Sequence, residues 1–132
     1  QSNFAIHVDR CKTSRCRGHA IARMLQPTRR DYFVLKPKHS AFYATPLDLL
    51  LQHMKVRTLI LTGISTESCI LITAMDAFLR GYKIVTVSDA VASRTLAVKS
   101  AALTQMQESF GAKVRAHNQL DFEKTKVRVS HR

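Results

Sequence analysis

An α/β fold with a mainly parallel sheet is predicted by three features of the sequence. Short apolar runs alternate with helical patterns in the order β-α-β-α-β-α-β. The run Val56 to Thr62 shows almost no in/out alternation, so it reads as a strand buried on both faces. Three of the four helical patterns are closed by a glycine or a proline. Alternation of this kind implies crossover connections and a three-layer α/β/α, Rossmann-like arrangement with helices on both faces of the sheet.

The elements follow in order. Gly18 to Gln26 forms a short helical pattern stopped by Pro27. Asp31 to Lys36 is rich in aromatic and branched residues and is ended by Pro37, so it reads as a strand. Lys38 to Ala44 is a loop. Thr45-Pro46 then opens a helix, with threonine as N-cap and proline at the first helical position. Leu47, Leu50, Leu51 and Met54 follow at helical spacing. The strand from Val56 leads into a helix from Ile70 to Arg80, whose apolar side holds Ile70, Leu71, Ala74, Ala77 and Phe78 and which stops at Gly81. Lys83 to Val87 is the third strand, ending in Ser88-Asp89. A helix from Leu96 to Phe110 turns Val98, Ala101, Ala102, Met106 and Phe110 inward and ends at Gly111. Ala112 to Ala116 is a short last strand. Four strands are few for such a sheet, and residues 1–30 supply no convincing one, so the first strands of the fold are expected to be missing from the sequence.

The 132 residues fit one domain, with a basic, poorly patterned stretch at 1–30, a patterned core at 31–116 and a basic tail at 117–132. No apolar run approaches the roughly 18 residues that span a bilayer, and no signal-peptide core is evident, so a cytoplasmic protein is expected. Cys11, Cys16 and Cys69 form an odd set without metal-type spacing and read as reduced thiols. The net charge of +12 raises the question of nucleic acid. Its distribution argues against that partner. Seven Lys/Arg lie in residues 1–30 against Asp9 alone, more basic residues follow Asp121, and no aromatic-studded basic strand is present.

The segment with most chemical content is Thr62-Gly-Ile-Ser-Thr-Glu-Ser-Cys69. It puts a cysteine at the first turn of a helix, just past the carboxyl end of a strand. Backbone N–H groups and the helix dipole favour a thiolate there, and open α/β sheets build active sites at that end of the sheet. The competing reading is a small buried apolar side chain.

The motifs Lys36-Pro-Lys-His-Ser-Ala-Phe42, Thr45-Pro-Leu47, Thr62 to Ile70, Thr73-Ala-Met-Asp-Ala77, Gly81-Tyr82 and Ser88-Asp-Ala90 together resemble the isochorismatase-like cysteine hydrolases, whose superfamily includes nicotinamidases and N-carbamoylsarcosine amidases. The resemblance implies a hydrolase of small amide or carbamoyl compounds, working through an Asp-Lys-Cys triad. Cys69 matches the nucleophile, which forms a thioester that water then hydrolyses. Lys36 matches the lysine that favours the thiolate; Lys38 is the competing assignment. The resemblance also implies a cis peptide at Ile64–Ser65 that makes the Ser65 and Cys69 N–H groups an oxyanion hole. Phe42, Thr66 and His39 are candidate pocket residues, His39 at the pocket edge with a general-base role as its competing reading. Phe42 could equally pack in the core, and Thr66 could serve ordinary turn chemistry. Asp89 reads as a structural cap, and Asp76 as a helix-surface residue or a partner in a local hydrogen bond.

The family aspartate has no clear match. Asp9, in Ala5-Ile-His-Val-Asp9, lies too close to Lys36 for the usual intervening elements. No cofactor is implied and no metal site is transferred. A small-molecule substrate and a homo-oligomer are expected, self-association through an uncovered sheet edge being one route. The alternative function is a degenerate, non-catalytic member that serves as a binding or assembly module.

Overall fold

A computed structural model of the chain describes residues 17–121. The chain divides between Phe33 and Val34, and each part is described by itself.

In the first part, helix α1 (His19–Met24) buries none of its residues. After Pro27 the backbone closes on itself. The Thr28 N–H and hydroxyl both donate to the Asp31 carboxylate, at 2.6 and 2.9 Å, and the Asp31 N–H donates to the Thr28 carbonyl at 3.2 Å. These bonds hold the Asp31 carboxyl below its ordinary pKa.

That turn bears on the predicted strand at Asp31 to Lys36, which is not formed: these residues carry no regular secondary structure. Asp31 is held in the turn, and Tyr32, Phe33 and Leu35 are all well exposed. Aromatic and branched residues favour a strand only where another strand accepts their backbone bonds, and none of the described strands pairs with this segment.

The second part holds the sheet. Helix α2 (Leu47–His53) begins one residue later than predicted, with Pro46 as the residue preceding the helix. Thr45 still serves the helix start. Its hydroxyl oxygen accepts from the Leu47 N–H at 3.3 Å and donates to the Ala41 carbonyl at 2.5 Å. Strand β1 (Thr58–Ile64) leads into a wide, π-type turn, Thr66–Ile70, and then into helix α3 (Leu71–Leu79). Strand β2 (Lys83–Ala92), helix α4 (Leu96–Phe110) and strand β3 (Lys113–Arg115) complete it. The described strands pair in the order β1-β2-β3, and both pairings are parallel.

Local sequence explains the best-formed pieces. In α4 the Thr95 side chain accepts from the Val98 N–H at 3.3 Å, and Gly111 ends the helix in the left-handed region at φ 62°. Gly63, at φ 108°, lies where the β1–β2 register breaks. Leu61 faces Thr86, but Gly63 faces Val91. The surplus residues of β2, around Ser88 to Ala90, are accommodated at that break, so β2 runs well past the predicted end at Val87.

The core lies between the helices and β2. Met106, Ala74 and Ala77 are wholly buried, with Ile84, Val91 and Phe42 nearly so. Two burial expectations fail. β1 was expected to be covered on both faces, yet none of its residues is buried, because only β2 pairs with it among the described residues. In α4, Val98 and Ala101 are exposed, while Ala102, Leu103 and Met106 face the core.

Candidate active site

The site is built where the carboxyl end of β1 passes into α3. The backbone leaves β1 through a cis peptide bond between Ile64 and Ser65. The turn is closed by the Ser65 carbonyl, which accepts from the N–H groups of Ser68 and Ile70, each at 3.2 Å. This places Cys69 in the wide turn ahead of α3 rather than in the first turn of the helix. The thiol is free and partly exposed.

The second half of the site is the loop after Lys36. Lys36 Nζ donates to Cys69 Sγ at 3.1 Å and to the Lys38 carbonyl at 3.0 Å. Lys36 thus meets the sulfur, while Lys38 contributes a backbone oxygen that helps to aim the Lys36 ammonium. His39 also meets this sulfur. Its Nδ1 lies 3.7 Å from Cys69 Sγ and 2.9 Å from the Ser68 hydroxyl.

These neighbours hold the Cys69 thiol well below its ordinary pKa of 9.0, at about 7. The largest cause is the hydrogen bond with His39. The hydrogen bond and charge of Lys36 and the Ser68 hydroxyl add to it, against the opposing effect of burial. A thiol with this pKa is about half thiolate at neutral pH.

The rest of the loop is fastened to α3. The Ser40 hydroxyl donates to the Asp76 carboxylate, and the Ala41 N–H donates to the Thr73 hydroxyl at 3.0 Å. Arg80 Nη1 holds the other Asp76 oxygen at 2.9 Å. Asp76 was read as a helix-surface residue or a partner in a local bond. Its bond with Arg80, four residues on, is such a local bond, and Asp76 also joins the Lys36 loop to the helix that follows Cys69. Ser40 and Asp76 both fall in recognised motifs, but nothing in their spacing shows that they meet.

Two candidate pocket residues have other contacts. Phe42 is 4% exposed and lies in the core. It stacks on Tyr82 with ring centroids 5.9 Å apart, and the Arg80 guanidinium lies 4.8 Å from its ring centre. Thr66 is fully buried, and its hydroxyl donates to the Ala92 carbonyl at 3.0 Å, tying the turn to the end of β2. Both side chains support the site from behind. Asp89 accepts from the His117 N–H at 2.9 Å and meets the His117 ring at 2.5 Å, which lowers the pKa of its carboxyl. Asp9, Cys11 and Cys16 lie outside the described residues.

Among the described residues no three His, Cys, Asp or Glu side chains converge as a metal-holding group. No helix among them is long and apolar enough to cross a membrane.

Comparison with known proteins adds a lineage to this geometry. The family profile described as "Isochorismatase domain" matches residues 2–119, further towards the N-terminus than the motifs alone reach. The chain is 40% identical over 104 residues to the uncharacterized isochorismatase family protein YaaI of Bacillus subtilis, covering 79% of this chain and 58% of that protein. It resembles the crystal structure of the nicotinamidase/pyrazinamidase PncA of Bacillus subtilis with a TM-score of 0.67 and 32% identity, over 76% of this chain and 55% of that one. It resembles the N-carbamoylsarcosine amidase of Thermoplasma acidophilum with a TM-score of 0.66 and 33% identity, over 72% and 53%. The chain thus spans little more than half the length of these relatives.

Proposed function

Because the chain belongs to the isochorismatase family, we propose that it cleaves the C–N bond of a small amide or carbamoyl compound, with Cys69 as the nucleophile. The observation that carries this reading is the 3.1 Å contact between Lys36 Nζ and Cys69 Sγ. A fixed ammonium at that distance stabilises the thiolate, the form that attacks a carbonyl carbon. Two relatives named for activity on amides, the nicotinamidase and the N-carbamoylsarcosine amidase, point to the substrate class.

In this mechanism Cys69 Sγ adds to the carbonyl carbon. The oxygen that gains charge is met by the N–H groups of Ser65 and Cys69, each such donor being worth about 3 kcal/mol in the transition state. The intermediate collapses to a thioester as the amine leaves with the proton that the thiol gave up on ionising. Water then adds, the C–S bond breaks, and the acid and the thiolate are restored. Lys36 lowers the energy of the thiolate through its hydrogen bond and its charge. A reduced thiol suits a cytoplasmic setting. Self-association through β1 accompanies this reading, since Ile60 and Ile64 are exposed on a strand paired only with β2 among the described residues.

The test is release of ammonia from nicotinamide, pyrazinamide and N-carbamoylsarcosine by the native chain and by Cys69→Ala. Turnover of at least one compound, lost in the variant, is expected. Turnover that persists in Cys69→Ala rules out the nucleophile. An inert native chain that still binds one of these compounds favours the binding-module alternative.

A further inference from the structure

Two titratable side chains are hydrogen-bonded to the Cys69 sulfur among the described residues, and they differ in kind. Lys36 is a fixed cation. His39 carries an imidazole, which both accepts and donates a proton near neutral pH.

Three observations place His39 for that work. Its Nδ1 is 3.7 Å from Cys69 Sγ. The Ser68 hydroxyl, at 2.9 Å from the same nitrogen, fixes the angle of the ring. The backbone just beyond it is anchored, because Ser40 is bonded to Asp76 and Ala41 to Thr73. The ring is therefore held beside the sulfur by its neighbours on both sides. His39 is itself exposed, so protons exchange freely between its ring and solvent. Lys36 faces the sulfur, and Glu67 interacts with Ser93, Ser65 and Arg94.

We propose that His39 is a catalytic acid–base partner of Cys69, completing a Cys–His pair beside the lysine. This rests on Cys69 being the nucleophile. In the first half-reaction Cys69 gives its S–H proton to Nδ1, the thiolate so formed adds to the carbonyl carbon, and the proton waits on the ring. It then passes to the amide nitrogen as the C–N bond breaks. In the second half-reaction Nδ1 takes a proton from water as the C–O bond forms and the C–S bond breaks, and that proton returns to the sulfur or to solvent. Atoms and charge balance with water as the sole co-reactant, and no step draws a proton from Lys36.

The experiment is the pH dependence of Cys69 alkylation by iodoacetamide, followed on the Cys69 peptide by mass spectrometry. It is run on the native chain, His39→Gln and His39→Ala, with circular dichroism confirming that each variant is folded. Glutamine can still hydrogen-bond to Ser68 but cannot exchange a proton. Both variants are expected to shift the alkylation midpoint upward, slowing Cys69 about fivefold at pH 7 for a one-unit shift, and to slow amide turnover more than alkylation. A midpoint unchanged in both variants overturns the role of His39 and leaves the nucleophile intact. A shift in alanine that glutamine restores also overturns it, by showing that the ring acts through its hydrogen bond alone. If Cys69 of the native chain reacts no faster than an ordinary thiol, it is the nucleophile itself that fails.

Discussion

The loop from Lys36 to Thr45 and the segment just before it, Tyr32 to Leu35, make an instructive pair. The segment is apolar and has the composition of a buried strand, yet Tyr32 is 66% exposed and Leu35 83%. The loop is polar, basic at its start and without regular secondary structure, yet Ser40 and Phe42 are each 4% exposed. Burial follows partners rather than hydrophobicity alone. The loop has them: Asp76 for Ser40, Thr73 for the Ala41 N–H, Tyr82 and Arg80 for the Phe42 ring. All of them lie on or just beyond α3, so the helix that follows Cys69 also fixes the loop that carries Lys36 and His39. The strand-like segment has no such partner among the described strands.

If this contrast is right, substitutions should act in a definite order. Phe42→Ala should have the largest effect, about 3–4 kcal/mol of stability in urea unfolding, since it empties a core position and removes two ring contacts. A loss below about 1 kcal/mol would mean that the loop is not anchored through the core. Asp76→Ala should cost about 2 kcal/mol, because a carboxylate serving both a hydroxyl and a guanidinium is lost. It should also slow alkylation of Cys69, by loosening the loop that brings Lys36 and His39 to the sulfur. Unchanged reactivity would show that Lys36 and His39 hold their places without Asp76. Thr73→Val should cost about 1 kcal/mol through the unpaired Ala41 N–H. Leu35→Ser should change stability by no more than about 0.5 kcal/mol, and a larger loss would show that the segment is covered after all.

The same contrast explains what could be read in the sequence. Features encoded by near neighbours were legible: α4 with Gly111 at its end, and the parallel pairing of the strands now seen as β1, β2 and β3. Features set by residues far along the chain were not. A strand at Asp31 to Lys36 follows from side-chain preference, but a strand exists only with a neighbour, and β1 is exposed for the same reason. The contact of His39 with Cys69 joins residues 30 apart, and that of Ser40 with Asp76 joins residues 36 apart. Motif resemblance singled out Cys69 and Lys36, and the side chains of these two residues meet. For Phe42 and Thr66 it left a pocket wall open beside core packing and turn chemistry, and both side chains are buried. It left His39 at the pocket edge, although His39 has the largest influence on the thiol.

All of this centres on the ionisation of one sulfur, which can be observed directly. In the folded chain labelled with ¹³Cβ-cysteine, the Cys69 resonance, assigned by its loss in Cys69→Ser, can be followed as pH is raised. Because the folded-state pKa is depressed, the thiolate should already prevail above about pH 7, with the titration midpoint near that value. A midpoint near the ordinary thiol value of 9.0 would contradict it, for Lys36 and His39 would then lie beside the sulfur without activating it.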